Sequence, residues 1–172
     1  MLDPHIVVLP SPSGGRGLFT LAALRRGDVI WRREPDERSY TFAEVARWDE
    51  RDRARFWNHA YQVAADRFSG PAPGERDDPA SFMNHACDPV AGFVGDDTMV
   101  ALRDVAIGEE ITYHYLMSEA APGYALDCRC GSPRCVGRVR PSVLLDDPVV
   151  RDRVRGFAMS HVEMRLRQIP LA

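Results

Sequence analysis

The chain predicts a mainly β fold with a helical insert, a zinc-bound C-terminal segment and a terminal helix. Three observations carry that prediction. Short runs of β-forming residues separated by Gly, Pro and Asp turn clusters fill the N-terminal part and return after Pro89. A stretch between them repeats its apolar side chains at helical intervals. All four cysteines can be placed in one site, with Cys128, Cys130 and Cys135 in CRCGSPRCVG and Cys87 inside SFMNHACDP. A tetrahedral zinc takes four thiolates, and one remote cysteine would tie a late segment onto a distant loop.

Taken in order, HIVVL at 5–9, GLFTLAAL at 17–24 and DVIW after the RRGD turn predict a small antiparallel meander. Thr41 and Glu44 have capping-box spacing, and Phe42, Val45, Trp48, Phe56, Ala60, Tyr61 and Ala64 predict a helical insert over about 42–66. Its aromatics Trp48, Trp57 and Tyr61 read as a buried stripe. SGPAPGERDDP, residues 69–79, predicts an exposed loop ahead of NHAC. VAGFV, TMVALRDV and EITYHY predict strands, and on the last of these Tyr113 and Tyr115 would share a face. Asp147 and Pro148 suit a helix start, and Val150, Val154, Phe157, Ala158, His161 and Val162 predict a helix over about 148–168. Its apolar stripe needs a partner, either the active site or a second copy in a homodimer.

At 172 residues the chain suits one domain with a substantial core. A net charge of −3, from 22 basic and 25 acidic residues with no isolated basic block, disfavours a nucleic-acid partner. No run approaches the roughly 20 apolar residues that span a bilayer, so no membrane partner is expected. A CxC pair such as Cys128 and Cys130 is poorly placed to bridge itself. Reduced thiolates on zinc and an unexported, cytoplasmic protein are the expectation. His5, His59 and His161 lack ligand-like spacing to any cysteine and are assigned no function.

Four motifs stand in order: GRGLF at 15–19, SFMNHACDP at 81–89, GEEITYHY at 108–115 and the cysteine cluster at 128–137. Together they resemble a SET domain, the fold of protein lysine methyltransferases that use S-adenosylmethionine, followed by a post-SET zinc motif. The resemblance spans roughly residues 5–138, and the small Arg-rich build fits a bacterial member. It implies several small antiparallel sheets around a pseudoknot-like crossing. It also implies a SET domain at 1–116, a post-SET zinc segment at 117–140 and a helical appendage at 141–172.

The same resemblance implies roles for particular residues. Gly15, Arg16 and Gly17 would line the cofactor pocket through backbone, and Asn84, His85 and Tyr115 would complete it. Tyr115 is the implied catalytic tyrosine, orienting a lysine amine whose solution pKa near 10.4 requires deprotonation before attack. Tyr113 would limit the number of methyl groups, favouring mono- or dimethylation. Cys87, Cys128, Cys130 and Cys135 would hold a structural zinc with no open position. Leu126 and Val136 would act as apolar lids over the substrate channel.

Two departures stand out: Val90 replaces an Asn, and His114 replaces an acidic residue that strand parity would turn away from the tyrosines. They motivate a competing reading as a non-catalytic module that binds protein partners. A further alternative keeps the cofactor and takes a small-molecule amine or another nucleophile. Otherwise the implied partner is a protein or peptide presenting lysine. All 22 basic residues are Arg, so automethylation on lysine side chains is impossible.

Overall fold

The computed structural model describes residues 1–169. Its strands are β1 (Ile6–Pro10), β2 (Arg16–Thr20), β3 (Val29–Arg32), β4 (Tyr40–Thr41), β5 (Tyr61–Ala64), β6 (Arg67–Ser69), β7 (Asn84–His85), β8 (Ala91–Val94), β9 (Thr98–Ala101), β10 (Glu110–Tyr113), β11 (Leu126–Asp127) and β12 (Arg138–Val139). The helices are α1 (Phe42–Val45), α2 (Glu50–His59), α3 (Val143–Asp146), α4 (Pro148–Val154) and α5 (Ser160–Arg167). Mainly β architecture with several small sheets is therefore what the chain builds.

The largest sheet runs β1-β2-β10-β8-β9-β3, with β7 also on β10. β1 and β2 form a hairpin with Val8 opposite Leu18, turned through Gly14 and Gly15 at φ 105° and 67°. Glycine adopts that left-handed backbone without a Cβ penalty. The expected three-strand meander is split, because β3 leaves the hairpin and pairs antiparallel with β9 at the far edge. Ile30 and Trp31 are both buried there, so this strand needs cover on both faces.

The crossing that positions the site is at β10. It pairs antiparallel with β2 and parallel with both β7 and β8, so Tyr113 stands opposite His85 on one and Ala91 on the other. Two sequence-distant segments thus meet at the C-terminal end of one short strand.

The insert differs from the single helix expected over 42–66. The Thr41–Glu44 capping box forms, but α1 ends at Val45. Asp49 then caps α2 by accepting from the Asp52 amide at 2.9 Å. A second good cap inside the periodic stretch breaks it in two. The helix stops at His59, and Tyr61–Ala64 pairs with β6 as strand β5. Tyr61, which fits the helical count, and Val63 beside it are β-formers. The expected buried stripe does not form: Trp48 and Tyr61 are half-buried and Trp57 is 37% exposed, stacking on the exposed Phe42, while the fully buried aromatic of α2 is Phe56.

The C-terminal helix is likewise divided, with Gly156 at φ 83° between α4 and α5. Val150, Val154, Met159, Val162 and Leu166 are buried in the main core beside Leu18, Ile111 and Leu116. The apolar stripe finds its partner within the chain, which removes the reason for pairing it with a second copy. No helix among the described residues is long and apolar enough to cross a membrane.

Candidate active site and cysteine cluster

A cavity of about 980 Å³ opens where the β1–β2 turn, the segment around Asn84, the end of β10 and the approach to β11 converge. Gly14, Gly15 and Arg16 form one wall and Tyr113, Tyr115 and Tyr124 another. Cavities of about 300–1,000 Å³ accept small molecules, so this one has room for a cofactor and an acceptor side chain.

Gly15 and Arg16 stand on that wall as expected. Gly17 is placed differently: it is buried, and a Cβ there would collide with the Glu110 carboxylate and lie 2.9 Å from Asn84 Nδ2. Packing against these two side chains favours glycine at 17. Asn84 Nδ2 donates to Arg16 O at 2.9 Å and to Glu110 Oε1 at 2.7 Å. Ser11 Oγ donates to Glu110 Oε2 at 3.0 Å. This network fixes the glycine wall and leaves Asn84 Oδ1 as the atom with which that side chain can meet a ligand. The Arg16 guanidinium lies 3.8 Å over the Phe82 ring, a cation–π contact that aims its charge along the cavity edge.

Tyr115 is not on the strand. β10 ends at Tyr113, and Tyr115 opens a single 3₁₀ turn capped by His114, whose Nδ1 accepts from the Leu116 amide at 3.3 Å. The two tyrosine rings nevertheless meet, 4.9 Å apart. Tyr115 is held at both ends: its amide donates to His85 Nδ1 at 3.1 Å, and its hydroxyl donates to Met83 O at 3.0 Å. Burial raises both tyrosine hydroxyls above their usual range, Tyr113 strongly, so each is neutral at pH 7.

His85 joins the tyrosine to the cysteines. Burial lowers its pKa to about 4, keeping the ring neutral. Since Nδ1 accepts from Tyr115, the proton is assigned to Nε2, which points at Cys87 Sγ 3.3 Å away. His114 is fully buried, edge-on to His85 with ring centroids 4.7 Å apart, and is absent from the cavity wall. Burial lowers its pKa to about 3. It caps the turn as a short acidic side chain would. Val90 packs in the core and is likewise absent from the wall.

The sulfurs of Cys87, Cys128, Cys130 and Cys135 all lie within 4.8 Å of one another, and none is in a disulfide. Zinc–sulfur bonds of about 2.3 Å in a tetrahedron put sulfurs about 3.8 Å apart. Cys87 and Cys128 are at 3.7 Å. The Cys130 amide donates to Cys128 Sγ and the Gly137 amide to Cys135 Sγ, each at 3.4 Å. Burial pushes the Cys87 thiol up to about 11; at Cys130, hydrogen bonds overcome the opposing effect of burial and bring it down to about 7. A divalent cation supplies the charge this cluster lacks, so the donor set fits zinc. The cluster also meets the C-terminal helices, because Arg153 Nη1 of α4 donates to Cys87 O at 2.6 Å. Leu126 reaches the cavity wall; Val136 lies instead beside a smaller cleft against α3 and α4.

A buried acid outside the four motifs also lines the cavity. Glu119 is 6% exposed, and its Oε1 accepts from the Gln62 amide at 3.0 Å. Burial raises its pKa to about 7. Its only sequence signal is isolation, a lone acid in the apolar run SEAAPGY.

Residues 15–116 match the family model described as SET domain. The chain is 28% identical over 160 residues to a mouse "Histone-lysine N-methyltransferase, H3 lysine-36 specific", covering 87% of this chain and 6% of that protein. The human protein of the same description is 28% identical over 149 residues, covering 80% and 5%. A Saccharomyces cerevisiae "Histone-lysine N-methyltransferase, H3 lysine-4 specific" is 41% identical over 66 residues, 34% of this chain and 6% of that protein. This chain therefore spans a small fraction of the relatives it matches. The match through the turn, the Asn-His pair and the terminal tyrosine, on one cavity, leads to one conclusion: the chain belongs to the SET-domain family.

Proposed function

We propose that the protein transfers a methyl group from S-adenosylmethionine to the side-chain amine of a lysine in a protein substrate. The observation that carries this reading is Tyr115, fixed by His85 and Met83 at the meeting point of the family motifs, on a cavity large enough for two ligands. When bound, the cofactor supplies an electrophilic methyl on a sulfonium centre. Gly15, Arg16 and Asn84 would hold it, through exposed backbone and Asn84 Oδ1.

Tyr115, neutral and half-buried, orients the acceptor nitrogen and keeps water from it. Alignment of this kind provides most of the acceleration in a direct displacement. Tyr113, 3.3 Å from Ser118 Oγ, narrows the same space and supports mono- or dimethylation. Cys87, Cys128, Cys130 and Cys135 would hold a structural zinc, and the segment they close brings Leu126 to the cavity. The relatives described as histone-lysine N-methyltransferases support a lysine-bearing protein substrate here. We also propose a cytoplasmic setting, where the four cysteines would stay reduced to hold a metal.

The test is transfer of labelled methyl into a histone H3 peptide pool by wild type and Tyr115→Phe. Removal of one positioned hydroxyl should reduce transfer about a hundredfold or more, with cofactor binding unchanged. Undiminished transfer by Tyr115→Phe would remove Tyr115 from the reaction.

A further inference from the structure

Glu119 is the one buried carboxylate on the cavity wall whose negative charge has no partner. Among the described residues it forms no ion pair with any Arg or His. Its hydrogen bonds, from the Gln62 amide and from Ser118 Oγ at a long 3.5 Å, both fall on Oε1. Oε2 is left for whatever enters the cavity. An unpaired buried carboxylate is a costly arrangement that a cationic ligand would relieve.

The position is built from three sides. The Glu119 amide donates to Tyr115 O at 2.7 Å, tying it to the turn that carries the tyrosine. Gln62, itself fully buried on β5, accepts from the Ala120 amide at 2.7 Å through its side chain and gives its own amide to Glu119. From α5, His161 Nε2 donates to Ser118 O at 2.7 Å and Arg165 Nη1 donates to Ala120 O. The residues on both sides of Glu119 are thus clamped by a helix beyond the family match. Arg165 donates to the Ala120 carbonyl and forms no ion pair with the carboxylate.

We propose that Glu119 is the acceptor-binding residue of this cavity, receiving the ammonium of the incoming amine on Oε2 and taking one of its protons. The step balances: an N–H bond breaks, an O–H bond forms on Oε2, and the nitrogen keeps the electron pair with which it becomes a nucleophile. The inference rests on the reading of the cavity as an amine-accepting site and names the chain's own group that selects a cation. A carboxyl whose burial brings its pKa near 7 is suited to both binding the charge and accepting the proton.

The test uses n-butylammonium, a lysine side chain without its backbone, titrated at pH 8 into zinc-replete wild type and Glu119→Gln by calorimetry, with n-butanol as the uncharged control. Melting curves confirm that the isosteric variant folds. At least tenfold weaker n-butylammonium binding in Glu119→Gln, with n-butanol unaffected, is the expected result. Equal n-butylammonium affinity in the two proteins, or none in the wild type, overturns the role given to Glu119. Wild-type methyl transfer to the H3 peptide pool, measured on the same samples, reports separately on the methyltransferase reading, which stands or falls without this comparison.

Discussion

Replacing Glu119 by Gln should stabilise the protein at alkaline pH. Burial moves this carboxyl from 4.5 to about 7, because the ionised form is held out of water without a cation. The folded state therefore binds more protons than the unfolded state between those values, and stability falls as pH rises through the window. Below 4.5 the group is protonated in both states and its favourable contribution is complete; above 7 that contribution is lost. At about 1.4 kcal/mol per pH unit the cost reaches about 3 kcal/mol at pH 8 and about 1 kcal/mol at pH 5. The groups facing Glu119 do not offset it: Tyr113, Tyr115 and Tyr124 are neutral, burial holds the His161 pKa below its usual value, and Arg165 forms no ion pair with the carboxylate.

Gln preserves the acceptor for the Gln62 amide and removes the charge. Urea titrations with zinc present should show Glu119→Gln more stable than wild type by about 3 kcal/mol at pH 8, with unchanged slope, and by about 1 kcal/mol at pH 5. The melting temperature at pH 8 should rise by about 10 °C. A gain independent of pH, or a loss at pH 8, would mean that the carboxylate finds water or a cation in the free protein and would refute the reasoning.

Other perturbations follow from packing and the cysteine cluster. Gly17→Ala puts a methyl against Glu110 and Asn84 and should destabilise by about 1–3 kcal/mol in the same titration; no change would show that the Glu110 carboxylate moves aside freely. Purified protein should carry one zinc per chain by elemental analysis. Cys87→Ser should lose most of that zinc, because it deletes the ligand that joins β7 to the cluster. Full zinc occupancy in Cys87→Ser would exclude the four-thiolate site.

The legible parts of this molecule are those in which local chemistry and final structure agree. The β1–β2 turn, the Thr41–Glu44 box and the cysteine spacing each carry their own geometric requirement, so they could be read directly. Where two elements share one period the reading failed: Tyr61 and Ala64 continue the helical count of α2, yet pairing with β6 makes them strand. Gly156 was the signal that divides the C-terminal helix, overridden by apolar spacing on both sides. His114 takes over the capping role of an acidic side chain, which requires knowing that β10 stops at Tyr113. Glu119 was illegible for a different reason, since its isolation is created by Gln62 and α5, elements far away in sequence. Gly17 reads as a cofactor contact, whereas its surroundings are Glu110 and Asn84, a packing reason that the sequence does not display.

The most direct measurement is calorimetric titration of S-adenosylmethionine into zinc-replete protein, with a zinc-stripped sample alongside. The account predicts micromolar or tighter binding that disappears with the metal, because the cysteines close the segment carrying Leu126 onto the cavity formed by Gly15, Arg16, Asn84 and Tyr115. No binding by the zinc-replete protein would contradict it.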